Sequence, residues 1–219
     1  MKSHARVVVI GGGIVGVSVL YHLAKAGWSD VVLCEKIELT SGSTWHAAGL
    51  LPLFNMSYCV GQMHWYSVNM YKQLEAETGQ PVGFHQTGNL RLATNQDRMD
   101  EYYKYSTTAN TIGVPYHFIT PSEVKELWPP CNIEGIVGAI LHPQDGHVDP
   151  SSVTQAMAKG ARTNGAEIYR QTEVLAMEQK ANGEWLVKTN KGDITCEYVV
   201  TASGNYARET AAMVGLDIP

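Results

Sequence analysis

The chain lacks a cysteine pair, a block of basic residues, a long apolar run and any repeat or low-complexity tract, and each absence removes a class of function. Cys34, Cys59, Cys131 and Cys196 are widely separated with no CxxC spacing, which argues against a disulfide framework and against a zinc site. Cys34 and Cys196 fall in strand-like runs and read as buried reduced thiols. Sixteen basic residues stand against 21 acidic ones, a formal net charge of −5, so no nucleic-acid partner is expected. No apolar run approaches the roughly 18–20 residues that span a bilayer, so no membrane partner is expected either. The first strand signal begins at about residue 6, leaving no room for a secretory signal, and Met1–Arg6 is too short for a transit peptide. The expectation is a cytoplasmic protein of bacterial kind, with the mitochondrial matrix as the alternative.

What is present is 44% apolar content in 219 residues, enough for one large domain or two small ones. Val7–Ile10 is a buried-strand run that turns through Gly11-Gly12-Gly13-Ile14-Val15-Gly16 into a helix, Ile14–Ala26, stopped by Gly27. Val31–Cys34 is a second strand ending at Glu35, 19 residues after Gly16. Residues 37–60, rich in Ser, Thr, Gly and Ala, read as an irregular wrapping stretch with one helical turn at Trp45–Gly49. Met63, Tyr66, Met70 and Leu74 recur at helical spacing within Gln62–Glu77, which predicts a helix with that stripe in the core. Gly83–Ala93 alternates as a short strand or hairpin, and Asp97–Gly113 is an amphipathic helix bearing Tyr102, Tyr103 and Tyr105. Thr120, Pro121 and Glu123 make a helix start, and Gly135–His142 is an apolar strand. After a turn at Gly146–Pro150 come a helix, Pro150–Asn164, and strands at Ala166–Tyr169, Val174–Glu178, Trp185–Thr189 and Asp193–Val200. Asn182-Gly183 and Lys191-Gly192 are hairpin turns. The fold class is α/β with an α+β insertion: a Rossmann-like nucleotide domain interrupted by part of a mixed-sheet domain. The expected segments are 1–60, 61–144, 145–205 and 206–219.

Gly11 permits the tight turn after the first strand, Gly13 lets the backbone approach a pyrophosphate, and Gly16 lets helix and strand pack closely. The helix start offers free N–H groups and the positive end of its dipole to phosphate. Glu35 can accept hydrogen bonds from ribose hydroxyls and repels a 2′-phosphate, which selects FAD or NAD over NADP. Strand, helix, strand and acid stand in register, so the glycines are read in context rather than as a bare pattern. His46 lies downstream in Thr40-Ser41-Gly42-Ser43-Thr44-Trp45-His46-Ala47-Ala48-Gly49-Leu50. An imidazole beside a flavin C8 methyl can form an 8α-N-histidyl bond; the residues alone leave open a histidine that only hydrogen-bonds loop backbone.

His142, His147, Asp145 and Asp149 could be drawn as a metal cluster, but a loop of this polarity is read as a hydrogen-bonded domain crossover, and no metal is expected. His85 beside Phe84 reads as structural, with a substrate-facing role as the alternative. Ala202-Ser203-Gly204 ends a strand in glycine, as a strand reaching a ligand does. No nucleophilic triad is visible.

Leu39–Leu50 (LTSGSTWHAAGL), Glu77–Arg91 (ETGQPVGFHQTGNLR), Asp145–Pro150 (DGHVDP) and Ala202–Leu216 (ASGNYARETAAMVGL) resemble the dimethylglycine dehydrogenase and sarcosine dehydrogenase family. These are glycine-oxidase-like flavoproteins of the D-amino-acid oxidase fold, and the resemblance runs from Val7 to Pro219. It implies FAD, and it implies that the TWHAAGL histidine, His46, is the covalent attachment site. Position by position it sets Ile14 and Val15 against the diphosphate, and Glu35 and Lys36 at the adenosine ribose. It sets Gly42, Ser43, Thr44, Trp45, His46, Ala47, Ala48, Gly49 and Leu50 around the ribityl chain and ring. Val174 would meet adenine through its backbone, Gly204 turns toward the ligand, and Tyr206 falls where the family usually has tryptophan.

The resemblance further implies oxidative demethylation of dimethylglycine or sarcosine by hydride transfer to flavin. An acceptor such as an electron-transfer flavoprotein would take the electrons, and tetrahydrofolate would enter through a C-terminal region that this chain lacks. Segments 1–60 and 145–205 would form the FAD-binding domain and 61–144 part of the substrate domain. Residues 206–219 would begin the crossover to its missing half. On this expectation the chain is an N-terminal fragment and the catalytic residues lie beyond residue 219. The alternatives are an amine or D-amino-acid oxidase of the same fold, or a non-catalytic flavin-binding fragment or subunit.

Overall fold

The computed structural model describes all residues, Met1–Pro219. In chain order the elements are β1 (His4–Ile10), α1 (Ile14–Lys25), β2 (Val31–Cys34), a 3-10 turn (Ser43–His46), β3 (Leu50–Leu51), α2 (Tyr58–Thr78), β4 (Asn89–Ala93) and α3 (Gln96–Ile112). They continue with β5 (His117–Ile119), α4 (Pro121–Leu127), β6 (Gly138–His142), β7 (Gly146–His147), α5 (Pro150–Thr163) and β8 (Glu167–Tyr169). Then follow β9 (Val174–Gln179), β10 (Trp185–Thr189), β11 (Gly192–Thr201), a second 3-10 turn (Gly204–Tyr206) and α6 (Ala207–Ala212). The chain divides into two compact units: Met1–Ala48 with Leu74–Val82 and Asp149–Pro219, and Gly49–Gln73 with Gly83–Val148. No helix is long and apolar enough to cross a membrane.

The first unit is built on a six-stranded sheet ordered β8-β2-β1-β11-β10-β9. β8, β2, β1 and β11 run parallel, while β10 and β9 join antiparallel beyond β11. Every residue of β2 is buried, as its unbroken apolar run requires of a parallel strand covered on both faces. α1 packs on α5 through Tyr21, whose ring lies so close to Gly160 that a Cβ there would stand 2.8 Å from it. The fully buried Tyr21 donates its hydroxyl proton to Glu77 at 2.6 Å, and Lys25 Nζ reaches that carboxylate at 2.7 Å. The chain's short return at Leu74–Val82 is tied into this unit there.

The second unit holds a three-stranded antiparallel sheet, β4-β6-β5. One face carries Ala93 and Ile140 against Met99, Tyr102 and Tyr105 of α3; the other carries Ala139 against Val124 of α4. Asn95 caps α3 by accepting the Arg98 amide, and Thr120 and Glu123 form a reciprocal capping box on α4 with Pro121 in its first turn, as their spacing predicts. The Asp145-Gly146-His147 turn is a short middle strand: β7 pairs with β3 on one side and with His85 on the other. Gly146 permits this, since a Cβ would stand 2.2 Å from the His85 carbonyl.

Several local expectations are revised. Met63 and Tyr66 are 60% and 57% exposed, and of that stripe only Leu74 is fully buried. α2 instead turns Gly61, Trp65 and Val68 inward, because Gly61 admits the Ile112 side chain to a distance that any Cβ would reduce to 2.5 Å. The helical turn of the 37–60 stretch starts at Ser43 rather than Trp45, and α2 starts at Tyr58. Gly83–Ala93 is strand only from Asn89 onward. β5 and α6, three and six residues long, are too short to have left a periodic signal.

Candidate functional site

β1 ends against two neighbours that grip the turn following it. Gly11 donates its amide to Cys34 O of β2 at 2.9 Å, and Ala202 donates to Ile10 O at 2.8 Å. Gly11 sits at φ +110°, and a Cβ there would stand 2.4 Å from Ala202 O, so only glycine makes this turn. A Cβ on Gly16 would stand 2.0 Å from Gly11 O, which explains the close packing of helix and strand. Gly13 differs: its Cβ would meet only the Thr44 side chain, at 3.1 Å from Oγ1, and no backbone.

Gly13 is the N-cap of α1 and has no side chain to cap it, and the first turn carries no acid. Thr44, buried in the 3-10 turn, supplies the missing acceptor: its Oγ1 takes the Ile14 amide at 2.9 Å. That capping role across the turn is invisible to local sequence patterns, since the two residues are 30 apart. Glu35, at the end of β2, accepts the Gly12 amide on Oε2 at 2.6 Å and the Ile37 amide on Oε1 at 2.8 Å. Its own backbone is held by Tyr169 O and by the Thr172 amide.

Of the remaining first-unit residues, Lys36 and Tyr206 meet each other, Gly204 opens the segment after β11, and Val174 stands apart at the sheet edge. Lys36 Nζ lies 3.3 Å above the ring of Tyr206, bridging the segments that follow β2 and β11. Gly204, at φ +58°, opens the second 3-10 turn, and Ser203 Cα would lie 3.3 Å from a Gly11 Cβ. Ser203 Oγ is buried without a partner; neither it nor Gly12 stood among the expected site residues, although both flank glycines that did. Val174 begins the edge strand β9, three strands from β1, and pairs with Thr189. It reaches the end of β2 through the chain just before it, where Gln171 and Thr172 donate to the carbonyls of Ile37 and Glu35.

Gly42, Ser43, Trp45, His46, Ala47 and Ala48 form an exposed rim, with Val15 and Trp45 presenting apolar side chains that are 63% and 58% exposed. His46 Nδ1 lies 3.2 Å from Gly42 O, and its ring stacks on Trp45 with centroids 3.8 Å apart. The loop-backbone contact considered for His46 is therefore made, through one ring nitrogen. Gly49 and Leu50 belong to the second unit, where Gly49 O accepts the Val148 amide and Leu50 pairs with His147.

No three His, Cys, Asp or Glu side chains converge on a point that could hold a metal. His142 Nε2 is engaged by the Tyr105 hydroxyl, Asp145 accepts the Leu53 amide, and the His147 ring faces that of His85. Asp149 caps α5 through the Ser152 amide at 2.6 Å, and hydrogen bonding from the Ser152 hydroxyl and then that amide holds its carboxyl below the usual range. Burial pushes the Cys34 thiol up to about 12 and the Cys196 thiol to about 11, which keeps both protonated and unreactive at neutral pH.

A family model described as FAD dependent oxidoreductase (DAO) matches residues 6–219. Dimethylglycine dehydrogenase, mitochondrial, of Rattus norvegicus is 45% identical over 218 residues, which is 100% of this chain and 25% of the relative. Sarcosine dehydrogenase, mitochondrial, of Homo sapiens is 35% identical over 225 residues, 100% of this chain and 24% of the relative. The crystal structure of L-proline dehydrogenase from P. horikoshii superposes with a TM-score of 0.91 at 34% identity, covering 100% of this chain and 58% of that one. The chain spans about a quarter of the length of these curated relatives.

Proposed function

The chain belongs to the FAD dependent oxidoreductase family, and we propose that it supplies the FAD-binding part of an N-methylglycine dehydrogenase. The observation that carries the cofactor reading is the turn at Gly13. Here a helix start with no cap of its own and no acidic side chain in its first turn, its Ile14 amide taken by Thr44, leaves room beside Gly13 that a side chain would occupy. A diphosphate fits that space by charge and by the donors it needs. With Thr44 on the Ile14 amide, Val15 is the next amide of the helix end available to phosphate. Each carboxylate oxygen of Glu35 keeps a second lone pair beside its backbone partner, enough to take two ribose hydroxyls. Lys36, Val174, Gly204 and Tyr206 line the adenosine end, and Gly42–Leu50 wraps the ribityl chain and ring.

His46 is the covalent attachment point in this proposal. Nδ1 faces a carbonyl and so carries the ring proton, which leaves the exposed Nε2 with the lone pair that bonds the flavin 8α carbon. The chemistry FAD supplies when bound is acceptance of a hydride from the N-methyl carbon of the amine. Identity with dimethylglycine and sarcosine dehydrogenases supports an N-methylated glycine as substrate. Water hydrolyses the resulting iminium to formaldehyde and the demethylated amine, or tetrahydrofolate takes its one-carbon unit, and an electron-transfer flavoprotein takes the electrons. The relatives' mitochondrial names favour the matrix over the cytoplasm as the compartment.

Anaerobic addition of dimethylglycine or sarcosine to the flavin-loaded complete enzyme tests the reading. Bleaching of the visible flavin band with reduction of an artificial acceptor, and no peroxide in air, is the expected result. Peroxide formation would favour an oxidase of this fold, and no bleaching by either amine would favour a non-catalytic flavin-binding subunit.

A further inference from the structure

Five buried side-chain atoms in the chain have no hydrogen-bond partner, and four lie in the second unit: Asn89 Oδ1, Arg91 Nε, His142 Nδ1 and Asp145 Oδ2. They belong to one neighbourhood. Asn89 and His142 face each other across β4 and β6, and the Arg91 guanidinium lies 4.6 Å above the Phe54 ring. Phe54 in turn packs on Tyr105 and His142, at centroid distances of 4.3 and 6.1 Å. His142 is 0% and Asp145 2% exposed.

The same side chains hold Leu53 at both its backbone groups. Asp145 Oδ1 accepts the Leu53 amide at 3.1 Å, and the Tyr105 hydroxyl donates to the Leu53 carbonyl at 3.2 Å. With its one proton so committed, that hydroxyl can only accept from His142 Nε2, 3.0 Å away, and Nδ1 is left as an acceptor. Three acceptors (Asn89 Oδ1, His142 Nδ1, Asp145 Oδ2) then face one donor, Arg91 Nε. An anion would add acceptors to acceptors, and a cation would meet the guanidinium. Water supplies the donors without charge.

We infer that Asp145 and Tyr105 form a latch on Leu53, completed by ordered water bound among Asn89, Arg91, His142 and Asp145. The latch makes Asp145 and Tyr105 positioning residues for the segment Gly49–Leu53, which leaves the run proposed to wrap the flavin. Gly49 and Leu50 are already zipped to Val148 and His147, and Leu53 carries that fixation on to Phe54, which packs on Tyr105 and His142 before the chain enters α2. Only the consequence for flavin rests on the FAD reading; the latch itself does not.

Hydrogen exchange on the protein tests the latch directly. In Asp145→Leu, protection of the Leu53 amide should fall about 100-fold while β1 and β11 keep theirs, and Asp145→Asn, which retains an acceptor, should restore it to within about threefold. Unchanged protection in Asp145→Leu overturns the latch. Should that variant fail to fold, Tyr105→Phe removes only the hydroxyl and should speed exchange at Leu53 about tenfold; no change there is equally fatal. Flavin retention through gel filtration should fall in Asp145→Leu and return in Asp145→Asn. Gly13→Val, in contrast, should lose flavin with Leu53 protection intact, so failure of the latch and failure of the FAD reading are told apart. A crystal structure at about 1.5 Å should show water within about 3 Å of at least three of the four atoms. Direct pairing among the side chains, with no water there, removes the water site.

Discussion

The Gly12 amide donates to Glu35 Oε2 over 2.6 Å, so the acid that ends β2 shapes the glycine turn before it meets any ligand. Its other oxygen takes the Ile37 amide, and a Cβ on Gly12 would stand 2.9 Å from the Glu35 side chain. The middle glycine and the acid are therefore one structural device. Two amides on one carboxylate are charge-assisted hydrogen bonds, stronger than neutral ones, and they hold the carboxylate at the mouth of the turn.

Glu35→Ala should weaken FAD binding by about 2–4 kcal/mol, through loss of the ribose acceptors and of the brace on Gly12 and Ile37. Glu35→Gln should fall between, since its amide keeps one acceptor oxygen where the carboxylate has two. Titration of flavin-free protein with FAD, followed by quenching of flavin fluorescence, measures both. Wild-type affinity in the alanine variant would remove the ribose assignment.

Two glycines five residues or fewer from Gly11 should respond in opposite ways. At Gly13 a side chain meets only Thr44 Oγ1, the oxygen that caps Ile14, so Gly13→Val should fold with a loss of about 1 kcal/mol but carry no flavin. At Gly16 a Cβ would stand 2.0 Å from the Gly11 carbonyl, so Gly16→Ala should lower stability by about 2–3 kcal/mol or more. Thermal unfolding and flavin content on the two variants separate the effects. Normal flavin content in Gly13→Val would end the phosphate-cradle reading.

The parts of this site that were legible in the sequence are those whose reasons are local. Gly11 turns at φ +110° and Gly16 excludes a Cβ by contact with the Gly11 carbonyl in the same turn, and strand, turn and acid leave fixed spacings. Thr44 and Ser203 act on residues far away in the chain, Thr44 on the Ile14 amide and Ser203 beside Gly11, and no spacing rule announces them. In α2 the stripe at Met63 and Tyr66 has helical period but the wrong face, because a glycine at position 61 decides which side packs. Periodicity detects a helix; the phase of its buried face depends on what lies opposite.

Asp145 and His142 give the second unit a concealed pH dependence. Burial pushes the Asp145 carboxyl up to about 6 from 3.8 and the His142 imidazole down to about 4 from 6.5; the Leu53 amide and then the Arg91 charge temper the first shift, and Arg91 adds to the second. Between about pH 4 and 6 the folded protein keeps a proton on Asp145 and none on His142, and the unfolded chain does the reverse. Proton counts match, so the two contributions cancel in slope. His142→Asn should expose the Asp145 contribution, with stability falling relative to wild type as pH rises from 4 to 6. Asp145→Asn should expose the His142 contribution, with relative stability rising over the same window. Each trend should amount to about 3 kcal/mol at most. Urea unfolding at three pH values in that window measures them, and parallel curves for all three proteins would refute the assignment.

The exposed His46 ring sits at the end of a 3-10 turn whose other face caps α1 through Thr44, so its position is fixed by the same turn that borders the proposed phosphate site. Nδ1 is occupied by the Gly42 carbonyl, and Nε2 is the nitrogen left to bond. The complete enzyme, precipitated in acid, should then retain yellow, fluorescent flavin in the pellet, and His46→Ala should release it to the supernatant. Gly42 contributes only its carbonyl to this geometry, and a Cβ there would meet nothing within 4 Å, so Gly42→Ala should keep the covalent flavin. Tandem mass spectrometry of the flavin-bearing peptide should place the added mass on His46. Flavin that leaves the wild-type protein in acid, or added mass on another residue, would refute the attachment while leaving the diphosphate site at Gly13 untouched.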